Sequence, residues 1–479
     1  MVQALLILTF FIARFRDVLH WEDSAAIDSL TLFEASLPYV GSALLACGFH
    51  IWCLLVGQKL DRRGSVHLVD WTHRLMLGVR LGAFSLLAFA VFGLHWDEWV
   101  RARMGDRILL DEFAIALPVL AIIASTWWSI APIERRLRDA LLIRDLELGN
   151  PISPIISDRA WVWSQLRHQV LLLLIPITLL LTWSEVADRL PTWLATFRLN
   201  TLSAIANKFA SIIQLIGAAT ILMLTPLLLR LLWDTVRLGS GELDDSVKNI
   251  SKQYRVRLNG PWIWRTYGQV ANAAILGMLH PFRYLLLTDA LLEKLSLPQV
   301  QVVIAHEVAH VRKRHLPWLA GATLGSVLAS AWIVEVILRT VPALQHDQTQ
   351  SAMLGSVACM LIGFLVFGAV SRRFEWQADA FALAHMTATA SYSRTNSGIV
   401  EPSDAQLVAH TLGSVARLNG MNPNTFTWRH GSIADRQRRV MANVGERITN
   451  LPINRQVAVI KIIAAVLVAL SVVSLFVER

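Results

Sequence analysis

The chain has 479 residues, 54% hydrophobic and only 16% charged, with a mean hydropathy of +0.49. That balance excludes an ordinary soluble enzyme and predicts a mainly α, polytopic helical membrane protein. The 44 Lys and Arg outnumber the 35 Asp and Glu, giving +9. In so apolar a chain this excess reads as topology-setting loop charge and not as a nucleic-acid surface.

The N-terminal run Val2–Ala13 is short for a span and lacks a basic n-region and a small-x-small cleavage site. It is expected to be a ninth, tilted or partly buried segment and not a cleaved signal. Eight longer runs have spanning length: 37–57, 75–94, 113–131, 166–185, 208–231, 318–338, 352–370 and 457–477. Cys47, Cys53 and Cys359 all fall in apolar runs, which excludes a disulfide framework and a cysteine-based zinc site. Loop 58–74 carries Lys59, Arg62, Arg63 and Arg74; loop 132–165 carries Arg135, Arg136, Arg138, Arg144 and Arg159; segment 14–36 is acidic. The positive-inside rule puts both basic loops in the cytoplasm, and counting spans onward puts 232–317 and 371–456 there too. Arg80, Gln214 and Glu335 lie within spans, where they could line a cavity; Arg80 and Glu335 could equally snorkel.

Five domains are expected. Residues 1–231 form an N-terminal membrane region of five or six spans. Residues 232–317 and 371–456 are two halves of a soluble-like α+β domain, split by a transmembrane hairpin at 318–370, and 457–479 is a C-terminal span. In the first half the patterns predict a polar helix over 241–253 and strands at 255–258, 263–265, 272–276 and 283–287. An N-cap at Thr288 or Asp289 and a helix from Pro298 to His315 follow. The second half opens with a helix over 371–386, passes through a Ser/Thr/Gly/Pro-containing stretch at 389–403, and continues in a helix over 405–418.

The predicted helix at 298–315 carries His306-Glu307-Val308-Ala309-His310. Residues four apart share a helix face, so both imidazoles can reach one zinc ion, with Glu307 placed to take a proton from water. A catalytic zinc takes three protein ligands and leaves one position open. His315, His385, His430 and Glu375 are the candidates for the third. The metzincin spacing fails, because Lys313 and Leu316 stand where Gly and His are needed. Glu375 is favoured: two spans separate it from the motif, which returns it to the same side of the membrane. Asp379 lies one turn beyond it, where a carboxylate can accept a hydrogen bond from a ligand imidazole.

These residues together resemble the zinc metallopeptidase family that includes the bacterial protease HtpX and the type I CAAX prenyl protease. The likeness covers about 232–450. It rests on Asn272-Ala273-Ala274 with Gly277, on Leu286-Leu287-Thr288-Asp289, and on HEVAH followed by Arg314-His315. The run from Ser371 to Ala382 and the set His430, Ser432, Ile433 and Arg436 complete it. The resemblance implies a zincin-like domain with zinc on His306, His310 and Glu375. It also implies substrate-facing roles for Asn272, His430 and Arg436, the last two stabilising the oxyanion. Its expected substrates are polypeptides, unfolded or membrane-associated, met at the lipid bilayer of a bacterial inner or plasma membrane. Gly431 departs from the pattern, which more often has Pro there. A site-two-type intramembrane protease does not fit, since Arg312-Lys313-Arg314-His315 follows the motif and neither L-D-G nor N-P-D-G occurs. The alternative from another class is a catalytically silent membrane scaffold with a zincin fold, which an intact Glu307 and a full ligand set oppose.

Overall fold

The computed structural model describes residues 2–15, 31–63, 67–105, 107–147, 156–268, 270–341, 348–391 and 398–477. Part of the 389–403 stretch therefore lies outside the described residues. Two compact units divide the chain at Trp233 and Asp234. Among the described residues, eight helices are long and apolar enough to cross a membrane, at the places expected. The protein is a multi-pass integral membrane protein.

The first unit is all helical. It comprises α1 (Val2–Phe15), α2 (Leu32–Arg63), α3 (His67–Leu94), α4 (Trp96–Met104), α5 (Leu110–Glu147) and α6 (Asp158–Gln165). A π-helical stretch, Leu166–Leu171, leads into α7 (Leu172–Thr196), followed by α8 (Asn200–Lys208) and α9 (Ala210–Leu232). The short α1 packs on α5, where Phe10 meets Phe113 edge-on at 5.7 Å. Arg80 does not snorkel. It is buried, donates from Nε to Thr126 Oγ1 at 3.0 Å, and lies over the Trp127 ring. Gln214 ties α9 to α7 through Ser184 Oγ at 2.8 Å. No residue of α9 is buried, the mark of a helix meant for an apolar solvent.

The second unit starts with β1 (Thr235–Arg237) and α10 (Glu242–Gln253). The strands β2 (Pro261–Trp264), β3 (Ala273–Leu276) and β4 (Tyr284–Thr288) follow, then α11 (Asp289–Lys294) and α12 (Leu297–Arg312). The sheet order is β1-β2-β4-β3, with β2 parallel to β4 and the outer pairs antiparallel. Central β4 is buried along its whole length, and β3 is left as a free edge beside α12. The strand expected at 255–258 is instead the turn after α10, where Arg255 adopts φ 53°; the three-residue β1 was not foreseen. Val256 reads as a strand residue because it is buried in the core with Leu285, Leu287, Leu291 and Ile304.

α13 (His315–Thr340) leaves the domain and α14 (Gln348–Ser391) returns to it, with α15 (Pro402–Leu418), α16 (Ile433–Met441) and α17 (Pro452–Val477) completing the unit. The helix expected at 371–386 is not a separate element. It is the end of α14, because nothing between the apolar run and Ser371-Arg372 breaks a helix. Glu335 is exposed and pairs with Arg339 one turn on.

Candidate metal centre

The motif helix starts sharply. Ser296 and Gln299 form a capping box and Pro298 sits in the first turn, where its missing N–H costs nothing. Val300, Ile304 and Val308 bury one face of α12 against the sheet, and Val302 and Ala305 pack towards α14 and α15. The face between them carries His306 and His310. Their Nε2 atoms lie 3.2 Å apart. Glu375, from α14, brings Oε2 to 3.6 Å from His306 Nε2 and Oε1 to 3.9 Å from His310 Nε2.

A tetrahedral zinc with bonds of about 2.0–2.2 Å needs donors roughly 3.3–3.6 Å apart. The three side chains meet that requirement with little adjustment, and their donor atoms all fall within 4.8 Å of one another. Two nitrogens and one carboxylate oxygen also suit zinc chemically. Protonation agrees. Burial pushes the His310 imidazole down to about 3, which leaves it neutral, as a ligand must be. Burial opposes charge on His306, but the Asp379 and Glu375 carboxylates outweigh it and hold that ring up to about 10. The pocket thus favours a positive charge at the shared point.

Each ligand imidazole is backed through its far nitrogen. Asp379 Oδ1 lies 3.0 Å from His306 Nδ1. His315 Nδ1 lies 2.9 Å from His310 Nδ1, and His315 Nε2 lies 2.9 Å from Gln377 Oε1. Gln377 in turn donates to Asn454 Oδ1 at 2.8 Å. One proton assignment satisfies the chain. With His310 Nε2 on the metal, its Nδ1–H donates to His315 Nδ1, and His315 Nε2–H donates to Gln377. Phe374 stacks on His315 at 4.5 Å and fixes its plane. His315 is therefore a positioning residue and not a metal donor. The signal was hidden because residues five apart do not share a helix face. Arg314, at φ 55°, ends α12 and turns His315 back.

Glu307 lies in the same cavity of about 460 Å³ as the three donors, together with Asn272, Asp379, His430 and Arg436. Burial pushes its carboxyl up to about 7, and Oε2 is 3.4 Å from the Ile275 N–H of β3. Arg436 is buried. Its Nε and Nη2 donate to the two oxygens of Asp379 at 2.8 and 2.7 Å, and Nη1 lies 3.3 Å from Glu375 Oε2. His430 Nδ1 is 3.0 Å from Glu375 Oε1, with about half its side chain exposed. Asn272 is exposed at the start of β3, and its Oδ1 accepts the N–H of Ala273. His385 lies elsewhere, its Nδ1 3.1 Å from the Tyr254 hydroxyl. Gly431 has φ 74°, and it exchanges two main-chain hydrogen bonds with Thr427. Proline can supply neither that φ nor the N–H, so the loop carrying His430 is built on glycine.

Residues 240–444 match the family model described as Peptidase family M48. A search of the curated proteins gives no match. Among solved structures, the chain is similar to the crystal structure of S. mikatae Ste24p, at 16% identity, with 86% of this chain and 99% of that chain covered and a TM-score of 0.43.

Proposed function

We propose, from the match of residues 240–444 to peptidase family M48, that this membrane protein is a zinc metallopeptidase, an endopeptidase that cleaves unfolded or membrane-associated segments on the cytoplasmic side of a bacterial inner or plasma membrane. The observation that carries this is the meeting of His306, His310 and Glu375 beside a buried Glu307. Zinc held by those three side chains would supply a positive charge that polarises a carbonyl and acidifies water.

The chain's own groups do the rest. Glu307 takes the proton from the attacking water at a carboxylate oxygen and returns it to the leaving amine. Its burial raises its basicity to suit that task near neutral pH. Asp379 holds the His306 ring by accepting at Oδ1 from its Nδ1–H, and Arg436 holds both Asp379 and Glu375. Arg436 has five N–H groups and commits three to those carboxylates, which leaves two for a developing oxyanion. His430 reaches the same place from its half-exposed loop. The free edge of β3 can pair with an extended substrate, main chain to main chain, which imposes no strict side-chain rule. Asn272 stands at the entry to that edge.

Metal analysis and casein digestion by purified wild type and Glu307→Gln test the reading. Wild type should carry about one zinc and digest casein. The variant should keep its zinc and lose at least about a hundredfold in turnover. Equal turnover by the two would remove Glu307 from the chemistry. A wild type that binds zinc and cleaves nothing would favour the silent scaffold.

A further inference from the structure

A second and larger cavity, of about 690 Å³, adjoins the metal centre and shares His310, Glu375 and Arg429 with the first as walls. Its charge is one-sided. Arg255, Arg283, Arg312, Arg314 and Arg429 border it, against the single carboxylate of Glu375, itself a metal donor. Arg283 is spent on main-chain oxygens, donating to the carbonyls of Gly277, Arg257 and Met278. The other four arginines are exposed, and among the described residues no carboxylate lies within ion-pair distance of them. Met278, Leu279, Leu316 and Phe374 give the cavity an apolar lining.

Membrane topology explains only part of this. Arg312 and Arg314 flank the start of α13 and could serve orientation. Arg255 comes from the turn after α10, and Arg429 from the loop before α16; neither flanks a span. Cations from three separate stretches thus converge on an apolar cavity that touches the metal donors, none facing a carboxylate of its own among the described residues, with Arg429 lying over the Phe367 ring. Such cations around apolar walls suit a carboxylate carried on an apolar peptide. The edge strand supplies the geometry. β3 borders the first cavity at Ala273 and Ala274, and its exit at Gly277 and Met278 borders the second. Gly277, at φ 92°, permits that exit, because a Cβ there would lie 2.0 Å from the Phe282 carbonyl oxygen. A peptide lying along β3 therefore puts opposite sides of its scissile bond into the two cavities.

We propose that the arginine-lined cavity is a substrate subsite that selects a carboxylate next to an apolar side chain. The carboxylate comes from an Asp or Glu side chain flanking the scissile bond. This rests on the peptidase reading above, and Arg255, Arg312, Arg314 and Arg429 determine the preference.

The test uses quenched fluorescent peptides of one apolar frame, with Glu, Gln or Lys at each position flanking the scissile bond and with free or amidated C-termini. Full-length protein is assayed in neutral detergent and in vesicles with and without phosphatidylglycerol. At one position Glu should exceed Gln in kcat/KM by about tenfold, and the advantage should shrink with added salt. Arg255→Glu with Arg312→Glu should move the preference towards Lys, and Arg255→Gln with Arg312→Gln should flatten it. An advantage that follows the free C-terminus and ignores internal Glu overturns the side-chain subsite. Equal cleavage of Glu and Gln peptides, and of free and amidated ones, overturns the subsite. Variants that alter only the response to phosphatidylglycerol also overturn it and make the cavity a lipid-headgroup site. If wild type cleaves no peptide, the failure lies with the peptidase reading and takes the subsite with it.

Discussion

Arg436 grips Asp379 with two parallel hydrogen bonds, 2.8 and 2.7 Å long, in a place where both side chains are buried. Asp379 in turn faces His306, and Arg436 Nη1 also reaches the donor Glu375 directly, so the guanidinium supports two of the three donors. Removing it strands two carboxylates, Asp379 and Glu375. Breaking a buried pair from one side costs about 3–5 kcal/mol. We predict that Arg436→Ala lowers the midpoint of thermal unfolding by several degrees and lowers kcat/KM by about tenfold or more, while zinc still binds. An unchanged midpoint would show that Arg436 has no part in holding the carboxylates.

Glu375 should decide metal retention. It supplies the one anionic oxygen among the three donors. Glu375→Ala should weaken zinc binding by more than about a hundredfold, measured by competition with a chromophoric chelator. Full zinc content with full activity would move the third ligand to His430, whose Nδ1 already lies 3.0 Å from the same carboxylate.

His315 should tune the metal without touching it. His315→Phe keeps the stacked plane against Phe374 but removes the acceptor for His310 Nδ1–H. Loss of such a backing partner typically costs tenfold to a hundredfold in metal affinity. Gln377→Leu, which breaks the far end of the same chain, should give a smaller loss in the same direction. If chelator titration finds wild-type affinity in both variants, the His315 contact only fills space.

Orientation is open to chemical labelling. The proposed cytoplasmic active site rests on the charge of the basic loops. In a background lacking the native cysteines, Ser240→Cys should resist an impermeant thiol reagent in intact cells, and Thr340→Cys, at the exposed end of α13, should react. The reverse pattern would turn the molecule over.

The sequence carried the ligands because a four-residue spacing and a two-span separation are both one-dimensional facts. It also offered Thr288 or Asp289 as an N-cap, and Thr288 takes that role, accepting from the Leu291 N–H. What it hid was burial among like residues. Arg436, Arg438 and Arg439 sit in one short basic helix, and only packing shows that the first is buried while the others stay near the surface. The His310–His315 contact was hidden for another reason, since it depends on a left-handed residue at Arg314. The arginines of the second cavity are separated by up to 174 positions along the chain (255 to 429) and meet only in the fold.

The two sides of the metal centre are anchored differently. Glu375 stands on the same unbroken 44-residue helix that carries a membrane span, whereas His306 and His310 are separated from theirs by the break at Arg314. At about 1.5 Å per residue, Glu375 lies some 18 Å from the span position at Gly363. A tilt of roughly 5° about that point would displace it by about 1.6 Å, half the spacing between the donors. Helices tilt to match the hydrocarbon thickness around them. The acyl-chain length of the surrounding lipid thus becomes a dial on the coordination geometry, and turnover in vesicles of graded chain length should pass through a maximum.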